Sequence, residues 1–383
     1  MTSLRNMTSG SPGRLILSFA LPLMLGNLFQ QFYTIADAAI VGQVLGVSGI
    51  AAVGAAEWII WMMQGMIQGF TQGFGIRMSQ DFGAGQYRRL RNVIANSAFL
   101  SAASALVLLA GGQMFAAWML EILHTPETVW ADTMSYMRTM FWGIPVVMAY
   151  NLFASILRSL GDGKTPLYAM ICASFINIGL DLLFVPVLHM GVFGAAAATV
   201  LAQLCSGLFC LIKIMRIDLL KFQREDLEID TSLHIRLMNL GMPMAFQNFV
   251  ISVGGMIVQS VVNGFGVAFI AGFTATNKLY GMLEVAATSY GFSMTTFTGQ
   301  NLGAGKTSRI RKGYREALVI AVFTSMIIAA VMIFGGKWIL LCFINGDAKT
   351  TADTLAVAYL YLFIMSLCLP VLYYLHVTRS CIH

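Results

Sequence analysis

Charge is what this sequence has least of. Aspartate, glutamate, lysine and arginine together make up 10% of its 383 residues, against 58% hydrophobic residues, and the mean hydropathy is +0.76. A soluble globule of this length needs far more polar surface, so a soluble enzyme or binding domain is excluded. The six cysteines (Cys172, Cys205, Cys210, Cys342, Cys368 and Cys381) have no paired spacing. That excludes a disulfide framework and a structural metal site, and they read as packing residues. The five histidines (His124, His189, His234, His376 and His383) fall at helix ends or in loops with no nucleophile or acid beside them, so acyl-transfer or similar membrane enzymology has no machinery here.

What is present is apolar sequence in long runs. A spanning helix needs about 20 apolar residues, and the charge-free stretches predict ten crossings, near 15–41, 49–76, 92–118, 130–157, 166–187, 192–215, 235–262, 267–297, 314–340 and 352–378. The charge-free interval from Leu237 to Asn277 holds two of them, broken at Asn263 to Gly266. The 23 lysines and arginines exceed the 17 acids, a balance that suits nucleic acid in a soluble chain. Here their position argues otherwise: with a cytoplasmic amino terminus, all but Arg138, Lys278, Lys337 and Lys349 fall on one side of the bilayer. The reading is a multi-pass protein of the inner (plasma) membrane whose partner is the lipid bilayer and not nucleic acid.

A segment near the first basic loop recurs in the second half. Gln80, Gly83, Ala84, Gly85, Arg89 and Arg91 reappear as Gln300, Gly303, Ala304, Gly305, Arg309 and Arg311. Leu21-Pro22 aligns with Met242-Pro243, Asn27 with Asn248, and, after a one-residue slip, Gly46 with Gly266. Internal duplication of a membrane unit is the mark of a two-lobed secondary transporter. Six helices per unit make both halves enter the membrane from the same side, so the pseudo-two-fold axis stands along the membrane normal. The predicted fold is therefore all-α, with a first lobe at 1–220 and a second at 221–383. By this offset the counterparts of helices five and six are absent from the second lobe, about 10 of 12 helices being present. A complete chain would run to roughly 440 residues.

Polar residues inside the spans are the candidates for chemistry. Asn27, Gln30, Thr34 and Asp37 are spaced three, four and three apart, one stripe that in a bilayer faces a water-filled cavity or other polar groups. A mid-helix Asp is disfavoured by about 2.5–3.5 kcal/mol on insertion scales, which marks Asp37 as functional. Ser174, Asn177 and Asp181 repeat the pattern on helix five. A buried carboxylate holds a proton or coordinates a cation depending on its surroundings, so Asp37 and Asp181 are candidate coupling residues, with Na+ at Asp37, Asn177 and Asp181 as one form. The second-half counterparts of the stripe are Asn248, Ile251, Gly255 and Val258, which places coupling in the first lobe. Glu284 is a further candidate cavity acid, Glu57 beside Trp58 is either a cavity acid or an interface residue, and Pro22 and Pro243 are candidate bend points because each removes a helix hydrogen bond.

Taken in order, Phe19 to Pro22, Ala36-Asp37, Val41-Gly42, the two Gly-Ala-Gly turns, Ile156 to Asp162, Ile176 to Asp181 and Gly194 to Thr199 resemble the multidrug and toxic compound extrusion (MATE) family. The resemblance runs to residue 383. It implies twelve helices in two lobes and export of amphipathic or cationic compounds by alternating access, in antiport with protons or sodium and with no other cofactor. It adds Thr199 to Asp37, Asn177 and Asp181 as the first-lobe ion site, makes Pro22 a bend that answers protonation, and goes with a monomer. A lipid-linked saccharide flippase of the same superfamily, which calls for a strongly basic cavity, and a truncated product that does not transport are the alternatives.

Overall fold

The computed structural model describes residues 5–265, 267–341 and 348–382. Gly266, Cys342 and His383, and the side chains of Lys278 and Lys349, lie outside the described part. Among the described residues all regular structure is helical, as the composition demands of a chain whose backbone must satisfy itself in lipid. Ten α-helices run α1 Pro12–Gly83, α2 Tyr87–Ile122, α3 Glu127–Trp142, α4 Ile144–Ser159, α5 Lys164–Phe184, α6 Gly191–Met215, α7 Thr231–Asn263, α8 Val267–Gly303, α9 Thr307–Leu341 and α10 Ala348–Ile382.

These ten elements partition differently from the ten expected crossings. The first two crossings form the 72-residue α1, which leaves helical geometry at Gly46 (φ 70°, ψ −160°), a conformation open to glycine and costly for other residues. The expected single helix over 130–157 is instead α3 and α4, meeting at 45°. Pro145, in the first turn of α4, has no N–H to continue the ladder of α3, and its fixed φ suits the start of a new helix. Seven of the described helices are long and apolar enough to cross a membrane, or eight with the α3–α4 pair counted as one span.

The duplicated motif duplicates its turn bond by bond. After α1, the N–H groups of Ala84, Gly85 and Gln86 donate to the carbonyls of Gln80, Phe82 and Asp81; after α8, those of Ala304, Gly305 and Lys306 donate to Gln300, Leu302 and Asn301. Gly85 and Gly305 supply the left-handed residue at φ 72° and 70°. The two turns also face each other: a Cβ on Gly83 would strike the Gln300 carbonyl, and one on Gly303 would strike that of Gln80. This reciprocal contact is the pseudo-two-fold expected from the repeat, and it closes the end of the bundle that carries Arg88, Arg89, Arg309 and Arg311, called here the basic end.

Away from that end the lobes meet along α1. Gly69 and Gly73, one helical turn apart, lie against Ala245 and Gly241 of α7 so closely that a Cβ would overlap the partner backbone, the small-residue packing that membrane helices use for close approach. The described core also crosses between the lobes, with Leu233, Leu237 and Ala245 of α7 packed among first-lobe residues such as Phe74 and Ile156. Ile16, Phe19, Ala20 and Leu23 of α1 pack with residues of α8, α9 and α10, while residues around Ile67, Met137 and Ile144 pack within the first lobe.

The linker between lobes is strapped to α2. Arg91 Nε lies 2.7 Å from Asp226 Oδ2, Asn96 Nδ2 donates to the Glu228 carbonyl at 3.0 Å, and the Asp230 N–H donates to Asn96 Oδ1 at 3.1 Å. Asp230 then caps α7, accepting from the N–H groups of Ser232 at 2.8 Å and Leu233 at 3.2 Å. A cleft of about 1210 Å³ lies between the linker and the start of α2. Its arginines are already paired, Arg88 with Glu225, Arg91 with Asp226 and Arg89 with Asp81, so it offers no free cationic site for an anion.

Candidate functional site

The first lobe brings the separated polar stripes together. α1 contributes Asp37, α5 contributes Asn177 and Asp181, and α6 contributes Thr199, whose Oγ1 accepts from Asn177 Nδ2 at 3.5 Å. Asp37 is 9% exposed, and Asn177 and Asp181 are fully buried. The two carboxylates lie within electrostatic reach of each other. α5 is held to α1 by Ser174, whose hydroxyl faces the carbonyls of Met170 (2.8 Å) and Phe29 (3.3 Å).

What distinguishes this cluster is its unmet demand for donors. Asp37 Oδ1, Asn177 Oδ1, both oxygens of Asp181 and Gln203 Oε1 are buried and have no hydrogen-bond partner among the described residues. Buried oxygens are normally satisfied, and leaving a charged one bare is costly. Five such acceptors around one locus fit a bound proton or a hard cation that takes oxygen ligands. A structural metal centre is a different matter: among the described residues no three His, Cys, Asp or Glu side chains converge to hold one.

Three residues of this locus escape a sequence reading. Tyr33 packs within reach of Gln30 and Gln203 and feels both carboxylates; Tyr136 of α3 feels Asp37, Glu57 and Asp181. Tyr33 and Asp37, and likewise Thr199 and Gln203, are four residues apart on one helix, a signal that was there to be read. Tyr136 arrives from a distant helix and has no such signal.

The residues expected in the cavity and at the bends have the following surroundings. Asn27 reaches across to the second lobe, Nδ2 to Ser289 Oγ at 3.3 Å, and Thr34 is exposed, its hydroxyl bonded back to the Gln30 carbonyl at 3.0 Å. Glu57 is exposed. Pro22 and Pro243 sit inside their helices, and within α1 the residue that leaves helical geometry is Gly46.

The second lobe has a different polar centre. Glu284 Oε1 of α8 lies 3.6 Å from His376 Nε2 of α10, with side-chain exposures of 26% and 10%, and Tyr280, Tyr373 and Arg379 are near enough to sense the Glu284 charge. The expectation that the histidines lack partners is therefore corrected. His376 meets Glu284 through helix packing that no local spacing announces, and His234 stacks on Phe99 at 5.4 Å. A second point concerns Arg158, which the sequence places with the basic residues of one side of the bilayer. Its guanidinium lies 4.7 Å from the ring centre of Phe292 in the other lobe, and among the described residues no acid pairs with it.

These features can be set beside known proteins. The model of the MatE family matches residues 22–183 and 243–382. The chain is 30% identical over 307 residues to the probable multidrug resistance protein YpnP of Bacillus subtilis, covering 80% of this chain and 68% of that one. It is 23% identical over 343 residues to the FAD transporter of Shewanella oneidensis, covering 87% and 75% respectively. Among solved structures, the outward-facing conformation of a multidrug resistance MATE family transporter superposes with a TM-score of 0.88 at 20% identity, covering 100% of this chain and 87% of that one. With the family model spanning most of the sequence and the fold shared along its length, the chain belongs to the MatE family of membrane transporters.

Proposed function

We propose that the protein exports amphipathic or cationic compounds by alternating access, in exchange for protons or sodium ions that enter through the first lobe. The observation that carries this reading is the set of five partnerless buried oxygens around Asp37, Asn177 and Asp181. A proton or Na+ arriving there neutralises charge and satisfies acceptors together, so its binding free energy is available to bias one arrangement of the lobes over another. Glu284 beside His376 is the anchor for a cationic substrate in the second lobe. The basic end is cytoplasmic, the protein works as a monomer in the plasma membrane, and the lobes, 1–220 and 221–383, rock against each other while the linker up to Asp230 travels with the first.

The test is efflux of a fluorescent organic cation from proteoliposomes under an imposed proton or sodium gradient. Asp37→Asn and Asp181→Asn are each expected to lower gradient-driven efflux by 10-fold or more with normal folding. Full efflux in both variants would overturn the coupling role. A second reading is favoured by Arg158 and by the relative that carries FAD: a phosphate-bearing substrate paired with that guanidinium. Arg158→Gln abolishing FAD export while sparing organic cations would establish it. A single such arginine is less than the basic cavity a saccharide-lipid flippase calls for.

A further inference from the structure

The segment before α1 is not a loose tail. Arg5 N–H donates to the Leu160 carbonyl at 3.2 Å, and Gly161, at φ 79°, has no room for a side chain beside the Arg5 carbonyl. Two residues on, the segment crosses to the second lobe. Met7, fully buried, donates its N–H to Gln300 Oε1 at 2.8 Å, and its carbonyl accepts from Asn301 Nδ2 and Arg309 Nη2, each at 3.2 Å. Lys306 Nζ donates to the Thr8 carbonyl at 2.9 Å, and Glu316 Oε2 accepts from the Gly13 N–H at 2.6 Å. Gln300 completes the junction, its Nε2 donating to the Ser159 carbonyl of the first lobe at 2.8 Å.

The internal repeat explains why this dock exists on one lobe only. Gln300, Asn301, Arg309 and Phe297 are the counterparts of Gln80, Asp81, Arg89 and Arg77. In the first lobe those residues pair with one another. Asp81 pairs with Arg77 at 3.2 Å and Arg89 at 3.6 Å, and Gln80 Oε1 accepts from Arg77 Nη1 at 3.1 Å. In the second lobe two positions have diverged. Asn in place of Asp leaves Arg309 without its acid, and Phe in place of Arg leaves Gln300 Oε1 without its donor. Arg309 stacks over Phe297 at 5.7 Å, and both freed groups are taken up by the backbone of Met7. A buried main-chain N–H and C=O need partners, and here each has one.

We infer that residues 5–11 form a latch across the basic end, docked in a site that the repeat opened by losing one ion-pair network. Bonds to Leu160 on one lobe and to Gln300, Asn301 and Arg309 on the other cannot all persist if the lobes part at that end. The latch therefore favours the state closed there and must release before the cavity faces the basic side. Its role in transport rests on the alternating-access reading; its docking does not.

Two measurements on the whole protein test this. In Asn301→Asp the carboxylate is placed to claim Arg309 as Asp81 claims Arg89, and hydrogen exchange at the Met7 amide is expected to accelerate at least 10-fold. Exchange as slow as in the parent would overturn the docking account. Bio-orthogonal spin labels at the exposed Gln86 and Ser308 then report separation at the basic end. Asn301→Asp, and Met7→Pro, which removes the N–H donor together with the buried Met7 side chain while leaving every residue from Pro12 onward unchanged, are both expected to enlarge the long-distance population at least twofold. Unchanged distances in both variants, with Met7 exchange accelerated, would overturn the latch. If the parent shows one unchanging distance with and without proton or sodium gradients, it is the alternating-access reading that fails, while the Met7 exchange result stands.

Discussion

The two lobes share a backbone plan and differ in what their polar side chains do. At the Gly-Ala-Gly turns the hydrogen bonds coincide bond for bond, and Asn27 and Asn248 both reach across the interface, to Ser289 and to the Gly65 carbonyl. Three residues beyond the asparagines the resemblance ends. The first lobe continues with Gln30, Thr34 and Asp37, the second with Ile251, Gly255 and Val258. Duplication has kept the positions where backbone meets backbone, since a change there is felt by both halves. It has released the polar positions that follow the asparagines.

The largest expected effect tests that division directly. Asp37→Asn should lower gradient-driven efflux at least 10-fold, whereas adding Val258→Asp at the equivalent position of the second lobe should restore none of it, because Val258 is 50% exposed where Asp37 is buried. Recovery in the double variant, measured as dye efflux in proteoliposomes, would show the lobes to be chemically interchangeable and would break the comparison.

Next in size is the backbone contact that the lobes share. Gly83→Val and Gly303→Val each press a side chain against a carbonyl of the other lobe, an overpacking cost of about 1–3 kcal/mol. If the pseudo-two-fold is energetically real, the two variants should lower the melting temperature of the solubilised protein by similar amounts. A large inequality would mean that one turn bears the closure alone.

How much of this was legible beforehand follows from the range of the signal. Asp37, Asn177 and Asp181 announce themselves because a carboxylate or amide at helical spacing within an apolar run is visible over one or two turns. The repeated turns are visible because their chemistry is local to six residues. Gln203 and Tyr33 sit one helical turn from residues already singled out and were within reach. Tyr136, the meeting of His376 with Glu284, the diversion of Asn27 to Ser289 and the stacking of Arg158 on Phe292 are products of helix packing between segments far apart in sequence. The break before Pro145 was written in that proline, yet the apolar run around it masked the signal.

A smaller effect concerns the paired amides. Asn248 Nδ2 meets the Gly65 carbonyl at 2.7 Å, and Asn27 meets Ser289 at 3.3 Å. Hydrogen bonds between membrane helices average about 0.6 kcal/mol. Asn248→Ala is therefore expected to destabilise by about that amount and more than Asn27→Ala, read as unfolding midpoints in a denaturing detergent. The reverse order would show that the shorter contact is compensated elsewhere.

The smallest effect lies in the linker that joins the lobes. Burial of the Asp226 carboxyl, 1% exposed, on its own works against ionisation. It is outweighed by hydrogen bonds from Arg91 and the Gln223 N–H and by the charges of Arg91 and Arg88, so its pKa lies below the ordinary carboxylate value. A depressed carboxylate stabilises the folded strap fully above the unfolded value, about 3.9, and loses that contribution as pH falls through the lower folded value. Exchange of the Asp230 amide, bonded to Asn96, is accordingly expected to show no linker opening between pH 5 and 8 once its intrinsic pH dependence is removed, and to show opening only below about pH 4. Asp226→Asn should remove that acid transition and leave the linker looser throughout. An acid transition that survives the substitution would assign the linker's hold to other groups, and the proposal that the linker travels with the first lobe would then have to rest on Asn96 and on the Arg88–Glu225 pair.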